Sequence, residues 1–434
     1  MKWLSILLIA LALGLSPARD GFAQTLPARE QLQQIHADLK RAHAARNAAR
    51  YLAAAKKNAE LQNGSPDSLL QLMSAQVFGS DINDALASFA QFVRMGQSDE
   101  ETLKLPQFEK LRSDPGFAAL HAQMAGNARP VSRATQAFSL ADPGLLPEDI
   151  DYDPATKFFY FTSVLEKKII AVDTLGNAHT FAVAPDSWPM LALKIDPGRH
   201  ILWASEVALD GFDTCPKQDW GRSAILIYDI PTLKLLHRIE GPPKSALADM
   251  VLTSEGDAIV SDGNGGGVYR VHAQSLKIER LDSGDFISPQ TPAVSPDGKG
   301  IYVPDYVRGI GILNLETKRV TWIPMSSSDP PGAHALNGID GLYLAGHNLI
   351  ATQNGTSPER VVEFPLDPGL THILSETLIE RATATLGDPT HGVVVDGVFY
   401  YIANSGWNTL DDHGNLKPGA NPSPPLVMRA PLQR

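Results

Sequence analysis

Residues 147–173 read PEDIDYDPATKFFYFTSVLEKKIIAVD. A carboxylate, Glu148, precedes an alternating run, a DPATK turn, an aromatic-rich run, a VLEKK turn and a third run. Period-two alternation broken by turn residues is the pattern of an antiparallel β-meander. The plan recurs five times downstream: PMLALKIDPGRHILWAS (189–205), ADMVLTSEGDAIVSD (248–262), PQTPAVSPDGKGIYVPD (289–305), IDGLYLAGHNLIATQ (339–353) and PTHGVVVDGVFYYIANS (389–405). Taking Glu148, Met190, Asp249, Gln290, Asp340 and His391 as equivalent gives separations of 42, 59, 41, 50 and 51 residues. A propeller blade of four antiparallel strands needs roughly 40–50 residues. The long interval holds the insertion EVALDGFDTCPKQDWGRS (206–223). Six repeats predict a six-bladed β-propeller over 145–434. The sixth shows only the runs HGVVVDG, VFYYIANS and PLVMRAPL. SRATQAFSL (132–140), inside a linker over 127–144, is expected to supply its fourth strand and close the ring, which removes open edges.

Upstream the period changes. Between 28 and 126 the chain is rich in Ala, Leu, Gln and Lys, with apolar positions every three or four residues. EQLQQIHADLKRAHAARNAARYLAAAKKNAEL (30–61), SPDSLLQLMSAQVFGS and DINDALASFAQFVRMGQ each predict an amphipathic helix, with Ser65 and Asp81 as N-caps. This half resembles tetratricopeptide-type helical repeats where ALASFAQFVRMG (85–96) precedes LPQFEKLRSDPGFAALHAQM (105–124). A plain helical hairpin packed on the second domain is the other reading.

The chain has 434 residues, 43% of them hydrophobic, and a formal net charge of -11. That length carries two domains and an ordinary core. An acidic chain without a basic stripe repels phosphate backbones, so nucleic acid is excluded as an expected partner. The opening MKWLSILLIALALGLSPARDGFAQ has a basic Lys2, an apolar run from Leu4 to Leu15 and a small-residue site at Gly21-Phe22-Ala23. It predicts a secretory signal peptide over 1–23, hence a secreted or periplasmic protein with no membrane span after cleavage. The apolar run is shorter than the roughly 20 residues a bilayer requires. Cys215 is the single cysteine, so there is no internal disulfide, CxxCH haem site or cysteine-based zinc site.

In a propeller, one end of each innermost strand converges on the axis. Glu148, Asp249 and Asp340 therefore bring three carboxylates toward one opening, with Gln290 and His391 as neutral neighbours. Crowded carboxylates raise one another's pKa, and a divalent ion is a natural counter-charge. Each of the three alone is equally well read as a turn-holding residue. Asp153, Asp196 and Asp297 belong to hairpin turns, and Asp262 and Asp305 fit either role. No GxSxG elbow and no HEXXH occur; GNGGG (263–267) lacks the Lys and helix of a phosphate loop and reads as a hairpin.

Residues 145–432 resemble the regucalcin/gluconolactonase family of six-bladed propellers and its lactonase-like relatives. The resemblance lies in the first blade, in SPQTPAVSPDGKGIYVPDYVRGIGILNLET and in IDGLYL. It implies one divalent ion held by Glu148 and Asp340, with Asp340 also serving as base. Gln290 stands where the family shows Asn, and Ala248 where it shows a substrate-facing Asn. Two readings follow. One is an exported hydrolase of lactones or esters using Ca, Mg, Mn or Zn. Its metal ligands are Glu148, Gln290 and Asp340, its catalytic residues Asp340 and Asp249, and its substrate contacts Asn354, His391 and Asn404. The other is a non-catalytic scaffold that binds a ligand or a protein partner through the helical domain.

Overall fold

The computed structural model describes residues 26–324 and 334–432; the signal peptide expected over 1–23 lies outside them. Six sheets form the blades of a β-propeller. Blade 1 consists of Pro147–Asp153, Phe158–Ser163, Lys168–Val172 and Ala178–Val183, each strand antiparallel to the next. Blades 2, 3 and 4 repeat this order from Met190–Asp196, Leu247–Leu252 and Ala293–Val294. Blade 5, from Gly341–Ala345, gains a fifth, outermost strand, Val131–Ser132. Blade 6 takes Gly392–Val395, Val398–Ile402 and Leu426–Pro431 from the C-terminal side, and Thr135–Ser139 from before blade 1 pairs with the last of these. Both ends of the propeller thus meet in one sheet.

Polar residues recur for local reasons. In the first hairpins, Asp153, Asp196 and Asp297 each accept backbone N–H bonds from the turn that follows. The left-handed turn position falls at Gly298 in blade 4, at φ 69°, where a side chain would be strained. At the end of the second strand stand Ser163, Glu206, Asp262, Asp305 and Gln353. Asp262 accepts from Ala246 N and Gly265 N, and Asp305 from Ile287, Val307 and Arg308 N. These two acids pin the loop entering the inner strand to the loop leaving the second one. Hydroxyls stitch neighbouring blades, with Thr162 donating to Leu191 O and Ser261 to Gln290 O. Between blades lie apolar clusters such as Tyr160, Ile169, Leu193, Leu202 and Leu226.

Seven helices are described before the propeller: α1 (Ala28–Ala44), α2 (Ala48–Leu61), α3 (Pro66–Phe78), α4 (Ile82–Arg94), α5 (Glu100–Leu103), α6 (Glu109–Arg112) and α7 (Pro115–Asn127). The segment 30–61, expected as one helix, is two. Arg46 turns left-handed at φ 50° and the Asn47 side chain caps the new helix by accepting from Arg50 N. Ser65 caps α3 through Ser68 N, whereas Asp81 holds the N-cap of α4 without a side-chain bond.

The helices are docked on blades 4 and 5. Ala28 N donates to Gly284 O, Arg308 Nε to Leu61 O and Asn63 Nδ2 to Arg308 O. The segments around Ser98 and Ser357 exchange bonds, Ser98 N to Ser357 O and Ser357 Oγ to Ser98 O. Arg360, 1% exposed, reaches Met95 O, Ala335 O, Gln353 Oε1 and Glu376 Oε1. No described helix is long and apolar enough to cross a membrane.

Candidate active site at the propeller axis

The six inner strands enter the axis with two consecutive residues each. The amides of Asp149, Ala192 and Gly341 donate to the hydroxyls of Thr162, Ser205 and Thr352, which makes these positions equivalent. Asp249 pairs with Ser261 as Gly341 pairs with Thr352. Asp340 N and Thr390 N donate to Thr352 O and Ile402 O, which places Thr390 level with Asp340. The outer ring is therefore Glu148, Leu191, Ala248, Gln290, Asp340 and Thr390. Below it lie Asp149, Ala192, Asp249, Thr291, Gly341 and His391.

This corrects the equivalence read from spacing. Met190 lies one residue before the outer ring, and Asp249 and His391 belong to the ring below. The offset comes from loops of unequal length between the blades and not from strand geometry: the inner strands of blades 1, 2 and 3 carry the same β-bulge, between Pro147 and Ile150, Met190 and Leu193, and Leu247 and Asp249, and that of blade 6 pairs without one.

The lower ring plugs the axis. His391 is fully buried, with Nε2 2.9 Å from both Asp249 Oδ1 and Thr291 Oγ1. Its Nδ1 lies 3.3 Å from Asp149 Oδ1, an ion-pair contact off the line of a hydrogen bond. Burial favours the neutral ring, but Asp149 and Asp249 outweigh it and hold the imidazole pKa well above its ordinary value. Burial would likewise raise Asp149. Lys194, with Nζ 2.6 Å from Oδ2, and His391 prevail and keep it low. The imidazole beneath the outer ring is thus biased toward its charged form.

Above it, Glu148, Asp340 and His391 each bring one ligand-type atom within 4.8 Å of the others. Burial and then Asp340 push the Glu148 carboxyl well above the carboxylate range, against the pull of His391 and of the Trp407 indole N–H donated to its Oε2. Burial also lifts Asp340, with Asp249 and Asp388 adding to it and His391 opposing, up to about 7. Asn354 Nδ2 donates to Asp340 Oδ2 at 2.8 Å, and Tyr306 holds Asn354 by donating to its Oδ1 at 3.0 Å. Gln290 anchors its amide on Ser288, with Nε2 3.0 Å from Oγ. Gln290, Tyr306 and Asn354 also line a cleft of about 890 Å³ between the propeller and the helices.

Of the residues expected at the site, Glu148, Asp340 and Gln290 share the outer ring, and Asn354 bonds Asp340 from the cleft side. His391 and Asp249 lie beneath, engaged with each other. Asn404 makes its bonds within blade 6: its Oδ1 accepts from Leu426 N and its Nδ2 reaches Ser423 and Pro424, which clamps the loop into the last strand. Asp149, Lys194, Thr291, Tyr306 and Trp407 were missed. The first three are strand residues one or a few positions from those chosen, whereas Trp407 and Tyr306 arrive from loops that carry no periodic signal.

A divalent ion fits the mouth. Half-buried Glu148 and buried Asp340 disfavour ionising side by side without a counter-charge, and Asp340 Oδ2 is already held, leaving Oδ1 on the cluster side, 3.9 Å from His391 Nε2. In the same ring Thr390 Oγ1 is fully buried without a hydrogen-bond partner. His391 is the poorest of the candidate ligands, since ligation would break its contacts with Asp249 and Thr291.

No protein-family model and no curated protein matches the chain. Solved structures similar to it include a calcium-binding regucalcin from Agrobacterium tumefaciens, 16% identical with a TM-score of 0.47 over 70% of this chain and 94% of that one. A gluconolactonase from Xanthomonas campestris is 13% identical, with a TM-score of 0.46 over 71% and 92% of the two chains. An aldose sugar dehydrogenase from Streptomyces coelicolor, bound to PQQ, is also 13% identical at a TM-score of 0.46, over 69% and 99%.

Proposed function

We propose that the protein is an exported hydrolase of lactone or ester substrates, acting at the mouth of the propeller axis. The observation that carries this is the pairing of half-buried Glu148 with buried Asp340, the latter bonded to Asn354, which with Gln290 lines the cleft. With no ion bound, burial lifts the Asp340 carboxyl to about 7, where it can take and return a proton near neutral pH. Asp340 accepts the proton of the attacking water as its oxygen adds to the acyl carbon. It then delivers that proton to the departing alkoxide, so that a hydroxy acid leaves. Asn354 fixes the Asp340 carboxyl from the cleft side, and Trp407 fixes Glu148. Glu148 and Asp340, with the Gln290 side-chain carbonyl, would hold the ion, which when bound supplies Lewis-acid polarisation of the acyl oxygen and of water. Asp249, committed to His391 and Thr291, orients the floor rather than reaching the reacting atoms.

Export rests on the pattern of residues 1–23 and is checked by N-terminal sequencing of the mature protein. The scaffold reading draws support from the helical array, but the segment that follows α4 lines the cleft and so belongs to the same site. The test is a lactone and ester screen of the mature protein with and without Ca²⁺, Mn²⁺ or Zn²⁺, beside Asp340→Asn. Turnover falling by at least about a hundredfold in the variant, with an unchanged circular dichroism melt, is expected. Equal turnover in the two proteins would overturn the assignment.

A further inference from the structure

The insertion in blade 2 holds residues that its sheet does not need. The second and third strands of that blade, Ile201–Val207 and Ser223–Asp229, pair without a break from Ile201 with Asp229 to Val207 with Ser223. The chain between them is an added loop, closed at its base by Ala208 N donating to Arg222 O at 2.9 Å. Its tip meets a loop of blade 6. Asp213 N donates to His413 O at 3.0 Å, Asn415 Nδ2 to Asp213 Oδ2 at 2.8 Å and His413 Nδ1 to Gly211 O at 3.3 Å. Lys167 Nζ, from blade 1, holds Thr214 O at 2.8 Å. Within this clasp Phe212 meets Trp407 edge-on, with ring centroids 6.1 Å apart. Phe212 also lies against Gly414, where an added Cβ would fall 2.4 Å from the Phe212 ring, so the glycine is what lets the ring in. Trp407 in turn donates its indole N–H to Glu148 Oε2.

A loop that only sealed the end of the propeller would need apolar burial and nothing more. Leu209 and Leu410 supply that, packed with Leu191 and Val207. Phe212 does something further, because the ring it packs on is the donor to a carboxyl of the axial site. Trp407 stands at the head of a single short turn, Trp407–Thr409, entered through left-handed Gly406 at φ 98°. No regular strand fixes its ring, so a neighbour must select its rotamer. Groups that bond a ligating side chain set its orientation and hence the affinity of the site. We infer that Phe212 is a positioning residue: it holds the Trp407 indole against Glu148, so that the blade 2 insertion sets the orientation of a carboxyl on blade 1. The consequence for the ion rests on the proposed function; the indole–carboxyl contact is read without an ion or a substrate.

The test labels the full mature chain with fluorotryptophan and records its fluorine NMR spectrum, in which Trp188, Trp203, Trp220, Trp322 and Trp407 each give one line. Trp407→Phe assigns the Trp407 line by its loss. Phe212→Ala and Glu148→Gln are each expected to move that line further than any other. Asp213→Ala, which cuts one exposed bond of the clasp and leaves the ring in place, should move it in the same direction as Phe212→Ala by less. In a calorimetric titration with MnCl₂, Trp407→Phe and Phe212→Ala should each weaken binding by about tenfold or more, with an unchanged thermal melt. A Trp407 line that stays put in Phe212→Ala, or that moves only in step with the other lines, would overturn the inference, and so would manganese affinity that holds in Phe212→Ala. If the wild type binds no manganese, the ion falls out of the proposed function and the spectra alone decide. The inference then stands if Phe212→Ala and Glu148→Gln both move the Trp407 line, and fails if either leaves it in place.

Discussion

A single residue shows how environment assigns roles to identical side chains. Asp149, Asp249 and Asp340 all reach the axis, yet Asp149 is held low by Lys194 and His391 while Asp340 is lifted to about 7 by burial. The first two are engaged with the buried His391 ring and the third is left for chemistry. If Glu148 and Asp340 hold an ion, calorimetric titration of metal-stripped protein should show one saturable site, lost in Glu148→Ala. Binding equal to wild type in that variant would return Glu148 to the role of a strand-start residue. A second carboxyl away from the axis offers a cleaner test of linkage. Glu206 is fully buried, and burial together with Asp186 raises it from 4.5 to about 8. The folded state therefore keeps a proton that the unfolded chain releases near pH 4.5. The stability associated with that proton is present below the unfolded pKa and declines as pH rises toward 8. Glu206→Gln should flatten this decline in urea melts between about pH 4.5 and 8; an unchanged slope would mean that Glu206 ionises normally.

At the level of elements, the strands were legible because turn chemistry and period-two alternation repeat six times, and each repeat has the same mechanical needs. The acid or amide closing the second strand pins loop to loop, which explains why Asp262 and Asp305 fit two readings: their sequence context is that of a site, their bonds those of a brace. The axial rings were only half legible. Loops of unequal length between the blades blur a residue count by one, so Asp249 and His391 were ranked with Glu148 although they lie one level lower. The break at Arg46 was hidden for another reason, since Ala and Arg flank it on both sides and favour helix throughout. The closing strand Thr135–Ser139 invites a direct test. Phe138, half-buried, packs on Phe159 with ring centroids 5.4 Å apart and joins blade 6 to blade 1. Phe138→Ala should cost roughly 2 kcal/mol in urea unfolding, below the 3–5 of a fully buried Phe because half the ring is already wet. A loss under about 0.5 kcal/mol would show that the ring is held without this strand.

The whole molecule poses the question of why a propeller carries a helical array. Neither wall of the cleft suffices alone: the helices bring Asp67, Phe92 and the 97–102 turn, and the propeller brings Tyr306 and Asn354, the latter bonded to Asp340. Their relative position depends on a few buried bonds, among which Arg360 is central. Its guanidinium joins Met95 O of the helical half to Ala335 O, Gln353 and Glu376 of the propeller. Burial would raise Glu376, but Arg360 and His334 outweigh it and keep the carboxylate charged. Arg360→Met removes one partner of a buried pair and leaves Glu376 with His334 and the field of Arg381, a change worth about 3–5 kcal/mol. It also cuts a bond between the walls while leaving Glu148, Asp340 and Asn354 untouched. Loosening should therefore appear as faster hydrogen exchange at Ser98 N, which is bonded to Ser357 O across the junction, with little change at Asp340 N inside blade 5. On a turned-over ester, KM should rise several-fold while kcat falls less, because the wall shifts and the acid–base group does not. A fall in kcat alone, or exchange that quickens equally in both places, would show that Arg360 supports the propeller itself rather than its docking to the helices.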